Sequence, residues 1–190
     1  MNASAPLRRI HLTGASGAGV TTLGRAVAQE LGLPHHDTDD YYWMPTDPPF
    51  QVVRPAADRT RLMHEMFVPR SGWVLSGSVG EWAREVEPYV ELVVFVRTED
   101  AERSRRLVAR EVRRRSRPAA EIAVDPDFLA FHDWAMRYEA ETPPPSRSLV
   151  RHERWLAAQS VPVVRVDGAA PLAKLTEIVL HAIAAAGLRD

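Results

Sequence analysis

The chain has 190 residues, a formal charge of −1 and an apolar content of 45%, which suits one well-buried domain, 1–190, and lacks the general basicity of a nucleic-acid binder. The absence of cysteine excludes disulfides, thiolate metal sites and cysteine nucleophiles, and no apolar run approaches the roughly 20 residues of a membrane span. No cleavable signal pattern opens the chain, so the expectation is a cytoplasmic monomer or homodimer with neither membrane nor nucleic-acid partner.

Apolar strand-like runs alternate with helical ones along the sequence. Strands are predicted at Arg9–Thr13, His35–Asp37, Trp73–Ser76, Glu91–Val96 and Pro162–Val166. Helices are predicted at Val20–Leu31, Ala56–Val68, Asp100–Arg115, Asp127–Glu139, Ser146–Gln159 and Pro171–Ala186. This order predicts a three-layer α/β fold, a five-stranded parallel sheet with helices on both faces. Two proline-rich stretches interrupt it: residues 45–55, expected to be a functional loop, and Thr142–Pro145, expected to be a stiff joint. The first five residues are expected to be disordered.

Between the first strand and first helix lies Gly14-Ala-Ser16-Gly17-Ala18-Gly19-Val20-Thr21-Thr22. Its spacing is that of a phosphate-binding loop, G-x-x-x-x-G-K-[ST], except that Val20 stands where the lysine belongs. Glycines allow such a loop to curve so that successive N–H groups form an anion nest at the positive end of the following helix. None of those donors requires a lysine, and Thr21 keeps the hydroxyl position that holds Mg²⁺. Val20 has neither charge nor donor. Lys174 is the only lysine in the chain, so any compensating cation is an arginine.

The second strand ends in Asp37-Thr-Asp39-Asp40. Two residues apart in extended backbone, Asp37 and Asp39 are expected to project to one side, with Asp40 facing the other way. The alternative is an acidic loop that caps the next turn. His35 and His36 point to opposite faces, which disfavours a histidine–carboxylate metal site, and His11 reads as a packed polar residue. Gly77, in Ser76-Gly77-Ser78, is either a simple turn or a point of close backbone approach to substrate. Tyr41, Tyr42 and Trp43 are either core or a wall of an acceptor pocket. Between Glu99 and Arg117 there are eight arginines against four acids, with Arg103, Arg106, Arg110, Arg113 and Arg117 at helical spacing. Arg147, Arg151 and Arg154 repeat the pattern later. Such stripes are either solvated helix faces or a phosphate clamp. Arg106, Arg110, Arg147 and Arg151 are the candidates for the clamp, and Arg54 is a candidate contact to an anionic acceptor.

Through the loop Gly14–Thr22, the carboxylates of Asp37–Asp40, Leu75–Ser78 and the two arginine-bearing helices, the chain resembles the adenylate-kinase-like and shikimate-kinase-like P-loop phosphotransferases. The resemblance implies ATP along the loop, a small-molecule acceptor above the strand ends and a helical lid at about residues 110–146. It further implies Asp37 in water-mediated contact with Mg²⁺ and Asp39 holding or deprotonating an acceptor hydroxyl. The expected function is transfer of the γ-phosphoryl group of ATP to a small-molecule hydroxyl or phosphate. The alternative is a catalytically impaired nucleotide-binding sensor or regulator.

Overall fold

The central strands are buried along nearly their whole length, their apolar side chains alternating between two covered faces, as in a parallel sheet with helices on both sides. In the computed structural model, which describes residues 8–140 and 147–187, the elements run β1 (Arg9–Gly14), α1 (Val20–Leu31), β2 (His35–Asp37), α2 (Thr38–Tyr42), α3 (Ala56–Met66), β3 (Trp73–Ser76), a 3-10 segment (Glu81–Tyr89), β4 (Leu92–Arg97), α4 (Asp100–Arg115), α5 (Ala119–Ile122), α6 (Pro126–Met136) with a 3-10 turn (Arg137–Glu139), α7 (Leu149–Ala157), β5 (Val163–Asp167) and α8 (Leu172–Gly187). The five strands are all parallel, in the order β2-β3-β1-β4-β5. This is the predicted fold class. The predicted joint Thr142–Pro145, Ser146 and the first five residues lie outside the described residues.

Ile10, Leu12, Val74, Val94 and Val96 face α1 and α8, where they pack with Leu23, Val27, Leu175 and Val179. The intervening Trp73, Leu75, Val93 and Phe95 pack on the other face with Met63, Phe67 and Leu156. Each such side chain contributes about 1.5–3 kcal/mol by leaving water. A third cluster, Leu107, Ile122, Phe128 and Ala135, is the separate core of the helices over the strand ends.

Some boundaries differ from expectation for local reasons. Glu91 is not in β4, because its carboxylate accepts from the backbone N–H groups of Arg8 and Arg9 and from the Arg9 guanidinium. The third helix ends at Met66 because the N–H groups of Phe67 and Val68 both turn back to the Met63 carbonyl. The segment after β2 is helical from Thr38, with Asp37 as its cap, so Asp37 and Asp39 do not share an extended strand.

Three buried or half-buried histidines give the fold an acid-sensitive side. His11, 1% exposed, pairs through Nε2 with the Gly77 carbonyl at 2.9 Å; His152 pairs through Nδ1 with Tyr138 Oη at 2.6 Å; and His36 stacks on Phe67. Burial holds each of the three down to about 4 from an ordinary 6.5. The unfolded chain therefore takes up protons first as the pH falls, so the stabilisation is complete above about pH 6.5 and is lost progressively toward pH 4, by roughly 3 kcal/mol for each of the two deeply buried rings. Thermal unfolding followed by circular dichroism is expected to show Tm falling between pH 6.5 and 4.5. A flat profile over that range would contradict this assignment.

Candidate active site

The carbonyls of the loop after β1 are engaged by donors from the loop itself, from the first turn of α1 and from side chains outside it. Ala15 O accepts from Ala18 N–H at 3.1 Å and Gly19 O from Leu23 N–H at 3.0 Å. Ser16 O accepts from the Arg103 guanidinium at 3.3 Å. Ala18 O accepts from Thr98 Oγ1 at 3.0 Å and from Arg106 at 3.1 Å. With its carbonyls engaged in this way, the loop is left to direct amide groups inward. Gly17 and Gly19 have φ of 81° and 99°, the left-handed conformation that a nest of N–H groups requires. At Gly17 a Cβ would come within 2.8 Å of the Arg103 carbonyl, so the loop sits directly on α4.

Helix α1 begins at Val20 with no side-chain cap and no acid in its first turn. The N–H groups of Val20, Thr21 and Thr22 have no intrahelical acceptor, and the positive end of the helix faces the loop uncompensated, as an anion site requires. The Val20 side chain itself is turned away, 8% exposed and packed in the core with Leu23, Val27 and Val96.

Register carries the second part of the site. Asp37 lies opposite Ser76 of β3, which lies opposite Leu12 of β1, so Asp37 ends beside the loop. Its Oδ2 accepts from Thr21 Oγ1 at 2.8 Å, and its Oδ1 accepts from Asp39 N–H at 3.0 Å. Thus Asp37 caps α2 and meets the loop hydroxyl at the same time. Asp39 and Asp40 follow in the first turn of α2, where the helix dipole favours acids. Asp39 is exposed, yet desolvation and then the neighbouring Asp37 raise its carboxyl above the usual range, while Arg147 and Arg110 oppose the rise.

Among the clamp candidates, Arg147 reaches the loop. Its guanidinium donates to Ser16 Oγ at 3.3 Å and lies 5.6 Å from the Trp134 ring centroid. Desolvation lowers its pKa, and the groups favouring its charge are Asp39, Tyr138, Asp37 and Tyr42. Arg110, over Phe131, is likewise desolvated, with Glu111, Asp39 and Asp37 favouring its charge. Arg106 spends its donors on Glu102, Ala18 O and Gly168 O, which leaves its planar face for stacking. Arg151 and Arg154 are exposed on α7, and the earlier stripe divides: Arg103, on α4, is buried, and Arg117, just beyond the end of α4, pairs with Glu121 and Asp125. Arg54 donates to the carbonyls of Asp40, Tyr41 and Trp43; it closes the C-terminal end of α2, whose carbonyls lack helical partners.

Other residues take structural places. Tyr41 is core and bonds His36, His35 bonds Ser76 Oγ, and the space that a Gly77 side chain would need is filled by Thr38. Tyr42 and Trp43 belong to an aromatic row, Trp82–Tyr42–Trp43–Phe50. Over that row lies a cation the sequence reading passed over: Arg59, 4.3 Å from the Tyr42 centroid and 5.8 Å from that of Trp82. A signal was available. Its helix neighbour Arg61 has acids three and four residues away, Asp58 and Glu65, and pairs with both; Arg59 has none at those spacings. Trp134, beneath Arg147, was also passed over. Among the described residues no group of three or more His, Asp or Glu converges as a metal cage. A cation at Thr21 and Asp37 would thus share its shell with phosphate oxygens, as Mg²⁺ commonly does.

A Bacillus subtilis (strain 168) protein described as uncharacterized, YqaC, is 34% identical over 161 residues, spanning 84% of this chain and 88% of that protein. The chain belongs to the YqaC family. No family model matches it. Among solved structures, a shikimate kinase from Acinetobacter baumannii in complex with shikimate is similar with TM-score 0.58 and 19% identity, over 96% of each chain. A gluconokinase from Sinorhizobium meliloti 1021 is similar with TM-score 0.53 and 17% identity, over 94% of this chain and 92% of that one. A sugar kinase from Janibacter sp. HTCC2649 is similar with TM-score 0.54 and 19% identity, over 97% and 100%. At these identities the YqaC-family chain shares their fold. No helix among the described residues is long and apolar enough to cross a membrane.

Proposed function

We propose that the chain is an ATP-dependent small-molecule kinase that transfers the γ-phosphoryl group to a hydroxyl of an anionic acceptor. The observation that carries this reading is the Arg147 guanidinium, enclosed against Trp134 and hydrogen-bonded to Ser16 Oγ of the phosphate-binding loop. No carboxylate forms an ion pair with it among the described residues, and a desolvated cation in that state is stabilised by an anion. Arg147 supplies the charge that Val20 does not. Its fork grips two phosphate oxygens where a lysine would offer a single point charge.

In this reading ATP lies along residues 14–22, with its triphosphate on the loop amides and its base against the face of Arg106. Thr21 Oγ1 and Asp37 Oδ2 are the oxygens that would hold Mg²⁺, which when bound would neutralise charge on the phosphates. The acceptor lies over Tyr42, its anionic group met by Arg59 and its hydroxyl by Asp39. Asp39 accepts the hydroxyl proton as the new O–P bond forms and the bond from the β-phosphate oxygen to the γ-phosphorus breaks, and ADP leaves. Arg110 and Arg147 face the oxygens of the transferring group.

The burial of Val20 in the core favours a second reading, a nucleotide-binding regulator without turnover. ADP release measured with ATP, Mg²⁺ and a panel of polyhydroxylated carboxylic acids, sugar phosphates and nucleoside monophosphates separates the two. Acceptor-dependent ADP formation supports the kinase. Saturable ATP binding with no ADP on any acceptor supports the regulator.

A further inference from the structure

Arg103 is the most deeply buried charge in the described chain, 0% exposed, and its contact with the loop is only one of several it makes. It stands one turn into α4, at the seam between three elements. One terminal nitrogen, Nη1, donates both to Ser16 O of the phosphate-binding loop, at 3.3 Å, and to Ala135 O near the C-terminal end of α6, at 3.1 Å. The other terminal nitrogen pairs with the Asp100 carboxylate in the first turn of α4. The guanidinium carbon lies 5.3 Å from the Tyr138 centroid, and Nε has no hydrogen-bond partner among the described residues. Its own carbonyl lies where a Gly17 side chain would be.

Even with these partners, a charge this deeply buried is costly to keep out of water and is matched by a neutral core residue unless its position does something such a residue cannot. Here one nitrogen bridges two carbonyls, one on the loop and one on α6 among the helices over the strand ends. Drawing Ser16 O outward favours the inward aim of the loop amides, and the same nitrogen fixes the base of α6, which carries Trp134 beneath Arg147. We propose that Arg103 is a positioning residue that couples the grip of the phosphate-binding loop to the seating of the α5–α6 helices, so that an anion on the loop and Arg147 arrive in register. The inference rests on the reading of residues 14–22 as a triphosphate site.

The test uses Arg103→Lys, which keeps the charge but cannot bridge both carbonyls and Asp100, and Asp100→Asn, which keeps the arginine and removes its half-exposed carboxylate anchor. ATP and inorganic tripolyphosphate are titrated by calorimetry, and hydrogen exchange of residues 119–136 is measured with and without each. Charge-assisted hydrogen bonds of this kind predict a loss of about tenfold or more in affinity for both anions in Arg103→Lys, and a smaller loss in Asp100→Asn. In the unaltered chain either anion slows exchange in residues 119–136, and Arg103→Lys abolishes that slowing. A lowered Tm with unchanged anion affinity and unchanged protection would reduce Arg103 to a structural residue and overturn the proposal. Should Arg103→Lys fail to fold, Asp100→Asn decides alone, unchanged affinity and protection overturning the proposal. If the unaltered chain bound neither anion, the triphosphate site itself would be refuted, a failure distinct from that of the variants.

Discussion

Asp39→Asn is expected to lower the acceptor-dependent rate of ADP formation by about 10²–10⁴-fold, the range set by removing a general base, while leaving ATP binding within about twofold. The substitution keeps the side-chain shape and the helix position but removes the proton acceptor. Desolvation and Asp37 hold the Asp39 carboxyl above its ordinary 3.8, against the pull of Arg147 and Arg110. If Asp39 is the base its active form is the carboxylate, so the rate of the unaltered chain is expected to fall as pH drops through this raised pKa, with the acid limb above pH 3.8. In Asp39→Asn the residual rate loses that limb. Steady-state ADP release across pH 4.5 to 8 checks both statements. An unaltered rate in the variant would remove Asp39 from the chemistry and leave its raised pKa as a consequence of packing.

Arg147→Met carries the second large effect. Methionine fills the space against Trp134 but has no charge, and removing one preorganised donor to a developing charge costs about 10²–10³-fold in rate. Affinity for ATP is expected to fall too, because the same guanidinium already faces the loop through Ser16 Oγ. If Arg147 stands in for the missing lysine, Val20→Lys in the Arg147→Met background restores part of the loss. In the unaltered background Val20→Lys is expected to speed transfer, but less, because the charge is already present. The lysine must leave the apolar site that Val20 occupies, 8% exposed in the core, and its long aliphatic stem makes that feasible. A restored rate in the double variant, with no rescue of an Asp39→Asn control, would assign the compensation to charge at the loop.

Much of the fold was readable because it depends on short-range pattern. Helix α1 and strands β2 and β3 lie where periodicity and Gly/Pro punctuation put them, since Gly14–Gly19 and Gly32 bound α1 on either side. Helix α2 escaped notice because five residues are fewer than two turns and show no apolar period; what makes it a helix is a cap, the Asp37 carboxylate on Asp39 N–H. The 3-10 segment Glu81–Tyr89 carries Pro88 and a non-helical Ala83, so it too lacks a regular period.

The site divides in the same way. Residues 14–22 and Asp37 are drawn together by the C-terminal ends of β1 and β2, which flank β3 in the parallel sheet. The arginines are not. Arg106, Arg110, Arg147 and Arg151 look alike in sequence, and only the packing of α4, α6 and α7 turns Arg106 onto Ala18 O and Gly168 O, brings Arg147 to Ser16 and leaves Arg151 exposed. Arg54 illustrates the converse. An arginine in a proline-rich loop reads as a ligand contact, but the uncapped carbonyls at the end of a short helix claim its donors first.

The central claim is that a phosphate-binding loop without its lysine still holds a triphosphate, with Arg147 as the replacing charge. Calorimetric titration of ATP with Mg²⁺ into the unaltered chain and into Arg147→Met tests it most directly. Saturable binding at one site per chain, weakened about tenfold or more in the variant, is the predicted result. Equal affinity in the two proteins, or no binding in either, would contradict it.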